Sequence, residues 1–319
     1  MTGYILNATI DKTLFNEVQH GGSLKMREGY IATKGGKIWY LVYGERKIGT
    51  PLLVLHGGPG FLTMPQVVNE LSDERPVYFY DQLGCGKSDR ASDKSYYSVT
   101  NYVHELGEVR QRLGLREVYL MGFSWGTMLA CAYMLEKEPT GVKGLILCAP
   151  YLSSPLWDAD QRENIAAMPD DVRKTIEEGE RAGDYGDKYQ AAMMEYYKKH
   201  VCRLSPWPAF LEEAFHNLNM DVYLTMWGPS EFTITGALKN VDLLPKLNQV
   251  KAPVLLTCGD HDEAGVKTVK TYQMAFPAAS MAVFPSSSHL HQVERPELFL
   301  QVIRSFLREQ YERENESPT

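Results

Sequence analysis

Beyond Pro51 the apolar residues come in short, nearly unbroken runs: PLLVLHG, PVYFYD, EVYLMG, VKGLILCAP, PVLLTCGD and SMAVFPSS. Such runs predict strands buried on both faces. Between most of them the apolar spacing shifts to three and four, as in SVTNYVHELGEVRQRLGL and the C-terminal PELFLQVIRSFLREQ, the period of an amphipathic helix. Strand and helix in alternation predict an α/β fold, a mostly parallel sheet with helices on both faces. Ahead of them, REGYIAT and KIWYLVYG flank Lys34-Gly35-Gly36 and predict two strands joined by a tight turn. Ligands of parallel sheets bind at the carboxyl ends of the strands, so the residues just past each run are the first candidates for chemistry.

The alternation stops between Ser153 and Asn240. This stretch holds helical patterns (DDVRKTIEEGERAG, KYQAAMMEYYKKHVC, PAFLEEAFHNLNM) and no strong strand run. The organisation expected is a core formed by residues 1–152 and 241–319, interrupted by a helical cap over 153–240. A cap there would roof the strand ends and exclude water. The polar tail ERENESPT is expected to fray.

Composition narrows the function classes. The 319 residues carry a formal charge of -7 with 44% hydrophobic and 23% charged residues, which argues against nucleic acid or an anionic membrane surface as the main partner. The start, MTGYILNATIDKTLF, lacks the basic and apolar segments of a secretory signal. No apolar run approaches the roughly 20 residues that span a bilayer. The five cysteines form no C-x-x-C pair, and Cys131, Cys148 and Cys258 lie in apolar segments. Reduced, buried thiols and a cytoplasmic location are the expectation.

The candidate nucleophile is Ser124. Gly122-Phe123-Ser124-Trp125-Gly126 follows the run EVYLM and opens TMLACAYMLEKE, a G-x-S-x-G at a strand–turn–helix junction. A serine needs a base, and the base an orienting carboxylate, in the chain order serine, acid, histidine. Of the later histidines, His200 and His216 fall in the cap helices as surface or packing residues. His261 precedes the favoured acid. His289 follows the last strand run, where the base belongs, with His291 as its competitor. Trp125 supplies one backbone N–H for an oxyanion hole, and the loop His56-Gly57-Gly58-Pro59-Gly60 is expected to supply the other. In GDHDEAG, three carboxylates (Asp260, Asp262, Glu263) follow a strand run. A metal site from Asp260, His261 and Asp262 is conceivable on composition, but nothing else at ligand spacing supports one. The segment DQLGCGKS mimics a phosphate-binding loop, yet Asp81 stands where that pattern requires glycine.

HGGPG at 56–60, DQLGCGKSD at 81–89, GFSWGT at 122–127, WGPSEFTITG at 227–236, GDHDE and SSHL together resemble the proline iminopeptidases of the α/β-hydrolase superfamily. The likeness runs from about residue 28 to 310. It implies the α/β-hydrolase fold and release of an N-terminal residue, preferably proline, from small peptides, amino-acid amides or arylamides, without metal or organic cofactor. It implies a triad of Ser124, Asp262 and His289 and an oxyanion hole at Gly58 and Trp125. It further implies an ammonium site of Glu263 and the cap residue Glu231, with Tyr223 nearby; Asp260 is left as a loop carboxylate. One departure is Leu83, where the family usually has arginine. The competing readings are a carboxylesterase or amidase for uncharged acyl substrates, which leaves the glutamates without a task, and a ligand-binding protein on a hydrolase fold. The sequence leaves the oligomeric state open.

Overall fold

The computed structural model describes residues 26–316; the N-terminal segment read above for a secretory signal lies outside them. Every apolar run becomes a strand. After β1 (Met26–Ala32) and β2 (Lys37–Tyr43) come β3 (Leu52–Leu55), β4 (Val77–Tyr80), β5 (Val118–Phe123), β6 (Val142–Cys148), β7 (Val254–Gly259) and β8 (Ala279–Phe284). They form one eight-stranded sheet in the order β1-β2-β4-β3-β5-β6-β7-β8. The first two strands pair antiparallel, as does β2 with β4, and all later pairings are parallel.

Successive strand side chains point to opposite faces, and each face receives its own helices. Leu53, Leu55, Leu120, Leu145 and Leu256 pack with α1 (Val99–Arg112) and α2 (Trp125–Lys137). Val54, Phe79, Met121 and Ile146 pack against Phe299, Ile303 and Phe306 of α10 (Pro296–Glu316). At about 25 cal/mol per Å² of apolar surface removed from water, these two layers supply most of what holds the sheet. Between β6 and β7, neighbours in the sheet, the chain inserts α3 (Ser154–Ala166), α4 (Asp170–Ala182), α5 (Asp187–His200), α6 (Ala209–His216) and α7 (Met220–Met226). Tyr189, Tyr196, Tyr197, Ile176 and Phe232 give this insertion a small core of its own.

Helices without a recognised apolar period are α3 and α7 within the insertion, α8 (Val266–Ala275) after β7 and the single turn α9 (His291–Glu294) after β8. Of the polar tail, residues 317–319 lie outside the described residues. Residues 312–316 continue α10 to Glu316, because its apolar stripe on the sheet anchors the preceding turns and carries the polar end along. Among the described residues no helix is long and apolar enough to cross a membrane.

Candidate active site

The turn after β5 forces Ser124 to φ 50° and ψ −118°, a strained backbone for a non-glycine residue. The flanking glycines are a packing necessity: a Cβ on Gly122 would strike the carbonyl of Gly126, and one on Gly126 would strike that of Leu55. Ser124 N–H donates to Cys148 O (3.0 Å), and its own carbonyl accepts from Thr127 N–H (2.9 Å). Trp125 is the first residue of α2, so its N–H has no carbonyl one turn earlier. Its indole N–H donates to Gln82 Oε1 (2.9 Å), Gln82 N–H to His56 Nε2 (3.0 Å), and Gln82 Nε2 to His56 O (3.3 Å). The loops after β3, β4 and β5 are thereby tied together. Since Nε2 of His56 accepts, Nδ1 carries the hydrogen and meets Gly57 O at 2.8 Å; burial pushes the pKa of this ring down and keeps it neutral.

The loops after β7 and β8 bring Asp262 and His289 together. His289 Nδ1 lies 2.8 Å from Asp262 Oδ1, which also accepts from Ala264 N–H (2.9 Å), while Oδ2 accepts from Gly259 N–H (3.3 Å). His291 is turned away: its Nε2 meets Thr257 Oγ1 at 2.8 Å, and its Nδ1 stays 4.0 Å from Asp262. Burial drives its pKa down to about 4. Asp260 points outward, where its oxygens accept from Ser286 and Ser287 N–H (3.0 and 3.1 Å). His261 is exposed beside it, and His216 is exposed on α6. Among the described residues no group of three or more His, Cys, Asp or Glu is arranged to hold a metal.

One cleft of about 910 Å³, its open mouth included, is lined by Gly57, Gly58, Ser124, Glu231, Glu263 and His289, with apolar walls such as Phe61, Phe210 and Phe215. No hydrogen bond joins the Ser124 and His289 side chains among the described residues; such bonds are often long in an unliganded site and tighten in the complex. Glu231 comes from the insertion and accepts from Tyr223 O–H at 2.7 Å. Tyr223 itself is buried behind it. Glu263 is 1% exposed, and neither of its oxygens has a hydrogen-bond partner. The nearest positive group is His289 Nε2, 3.5 Å away. Burial alone would lower the pKa of His289, but Glu263, Asp262 and Glu231 outweigh it and carry it up to about 9. Burial likewise pushes Glu263 well above the carboxylate range, opposed by His289 and reinforced by Glu231. Glu231 is raised by the same cause, with Tyr223 and His289 opposing.

Comparison with known proteins places the chain in a family. Residues 50–296 match the family model of the α/β hydrolase fold. The proline iminopeptidase of Heyndrickxia coagulans is 44% identical over 283 residues, which cover 88% of this chain and 98% of that one. The chain belongs to the proline iminopeptidase family of α/β hydrolases. The proline iminopeptidase of Clostridium botulinum is 34% identical over 89% of the chain and 99% of its own length. Among solved structures, a proline iminopeptidase from Mycobacterium smegmatis superposes with a TM-score of 0.81 at 31% identity, covering 89% of this chain and 98% of that one. An esterase from Exiguobacterium antarcticum, 22% identical with a TM-score of 0.64, shares the fold.

Leu83 stands where the family resemblance implies arginine. Its side chain is fully buried, and its N–H donates to both oxygens of Glu105 (3.3 and 3.2 Å). No cation accompanies that carboxylate among the ion pairs of the described residues, and burial raises its pKa to about 8. Gln82, Gln161 and His200 were not singled out from the sequence as supporting the site. Only Gln82, inside a family motif, carried a signal that could have found it.

Proposed function

We propose that the protein releases an N-terminal residue, proline foremost, from small peptides, amides or arylamides through an aminoacyl ester on Ser124. The observation that carries this reading is Glu263, a buried carboxylate without a hydrogen-bond partner in the cleft that holds Ser124 and His289. Leaving such a group unpaired is costly. A substrate ammonium supplies the missing partner, with three donors, or two in the secondary amine of proline. Glu231 is the second carboxylate of the clamp, and Tyr223 fixes its orientation. An N-acylated substrate brings no charge and would leave both carboxylates uncompensated.

The chemistry follows from the same groups. His289, held by Asp262, takes the Ser124 proton as Oγ attacks the carbonyl carbon. The oxyanion is received by the N–H groups of Gly58 and Trp125. The imidazolium then protonates the departing amine, the aminoacyl ester remains, and a water activated by the neutral ring hydrolyses it. Nucleophile, base and oxyanion donors complete the reaction without metal or cofactor. Residues 153–240 act as the cap that delivers Glu231 and encloses the substrate, leaving room beside His289 for the one hydrolytic water. The free, buried state of the five cysteines supports a reducing compartment such as the cytoplasm.

Initial rates on prolyl, alanyl and N-acetylprolyl arylamides, with a plain acyl ester alongside, test the reading. Fast turnover of the free amines and none of the acetylated compound is expected. Good turnover of the ester with the free amines ignored would remove the ammonium clamp.

A further inference from the structure

The loops bearing the acid and the base are bonded to each other, His261 N–H donating to Ser287 O (2.9 Å) and Asp260 accepting from Ser286 and Ser287 N–H (3.0 and 3.1 Å), and are held from outside the sheet as well. Along the segment after β7, alternate residues are bonded by the insertion. His200 Nδ1 donates to His261 O (3.0 Å), Gln161 Nε2 to Glu263 O (3.0 Å), and Asp160 accepts from Gly265 N–H (2.9 Å). The residues between them, Asp262 and Ala264, close on each other and on His289. On the other side, His289 N–H donates to His200 O (3.0 Å) and Leu290 N–H to Val201 O (2.9 Å). Glu294 ties the two strands of this contact together, accepting from Arg203 N–H (2.7 Å) and from Ser288 N–H (2.6 Å).

His200 is the residue common to both loops. Its ring reaches the loop of the acid while its carbonyl holds the backbone of the base. A carbonyl oxygen can only accept, so Nδ1 of His200 carries the hydrogen. Its Nε2 is buried without a partner, and the ring packs on Tyr196 with centroids 4.7 Å apart. A charged ring in that setting would leave a second N–H unsatisfied. Burial accordingly drives its pKa down to about 4, so the contact persists unchanged across the working pH range.

We propose that His200 is a positioning residue for the catalytic base: the outer ends of the two loops are joined by Asp260, Ser286 and Ser287, and the side chain and carbonyl of His200 fix where Asp262 and His289 stand on them. The role rests on the triad assigned above. It makes the insertion part of the frame of the catalytic pair, so that seating of the helices over the cleft and alignment of the base become one event.

Two polar replacements separate positioning from bulk packing. Asparagine places its amide near Nδ1 and keeps the donor to His261 O, whereas glutamine places its amide near Nε2 and loses it. Each full-length variant is assayed with the prolyl arylamide and the plain ester. Rates are normalised to reactive Ser124 titrated to completion with a fluorophosphonate. His200→Gln is expected to lose about 10- to 100-fold in kcat on both substrates, the scale of a misplacement near 1 Å, with KM within about threefold. His200→Asn is expected to recover most of that rate. Equal behaviour of the two variants, or a loss that vanishes after normalisation, overturns the proposal. Ester turnover without amine turnover in the native protein would sink the aminopeptidase reading and leave His200 still measurable on the ester. Turnover of neither would remove the triad and this role with it.

Discussion

The proposed nucleophile and its two proposed partners are built in contrasting ways. The turn that carries Ser124 is fixed by the α/β core: Cys148 O ends β6, Thr127 and Trp125 open α2, and Gln82 and His56 lie in the loops after β4 and β3. The loops that carry Asp262 and His289 bond to each other through Asp260, His261 and Ser287, and are held in addition by Gln161, Asp160, His200 and Val201 from the insertion. A rigid nucleophile thus faces an acid–base pair whose alignment is shared with the roof over the substrate. The division suits the proposed reaction, in which a charged amine is recognised and the carbonyl carbon two bonds from it is attacked.

The sharpest test of the core-held half is its centre. Ser124→Ala is expected to reduce kcat by about 10⁴–10⁶-fold without changing stability, since it deletes one hydroxyl that makes no hydrogen bond in the fold. Near-normal turnover would break the comparison at its origin. On the other half, Glu231→Gln is expected to cost free-amine substrates about 2–5 kcal/mol in kcat/KM, the scale for leaving one partner of a buried charge pair alone. Plain esters should lose little. Equal losses on the two substrate types would mean that Glu231 supports the insertion rather than the ammonium.

The same contrast explains what could be read from the sequence. Ser124, its glycines and the HGGPG loop were legible because their constraints are local: a strand end, a sharp turn, and backbones too close for a side chain. All eight strands were legible from their apolar runs. Asp262 and His289 could be placed only by chain order and family likeness, and His291, two residues on, differs from His289 only in which way the loop turns it. His200 read as a packing residue because its partners, His261 O and His289 N–H, lie 61 and 89 positions away in the chain. Helix α8 was missed for a related reason: Val266–Ala275 has no clean apolar stripe, and its start is bonded instead by Asp160, more than a hundred positions earlier.

The pH profile sharpens the comparison further. Ordinary histidine and amine values would place the optimum close to neutral or slightly above. The three carboxylates around His289 move it upward. The base must be neutral to act, so for a plain ester kcat/KM should climb with pH and level off above about 9. For the prolyl substrate the ammonium is lost above about 8, which leaves a narrow bell between the two values. Glu263→Gln removes the largest of the charges that favour the imidazolium, and the ester limb should shift to lower pH. A native limb already near 6.5 would show that Glu263 carries no charge beside the empty base.

Glu105 offers the smallest effect and the cleanest separation of stability from rate, because it lies under the core-held half with no contact to the acid–base loops. Its pKa is about 8 in the folded protein against 4.5 as the ordinary value. The folded state therefore holds the proton more tightly than the unfolded chain, and stability falls as pH rises. Below about 4.5 both states are protonated and nothing is lost. Between the two values the loss grows by about 1.4 kcal/mol per pH unit, and above about 8 it is complete at a few kcal/mol. Glu105→Gln keeps an acceptor for Leu83 N–H and cannot ionise. Denaturant unfolding should find the variant close to the native protein near pH 4.5 and more stable by a few kcal/mol at pH 9, with kcat per active site unaltered at both. A variant no more stable at pH 9 would mean that the carboxylate has a compensating cation when charged, and that leucine at position 83 leaves the network beneath the nucleophile intact.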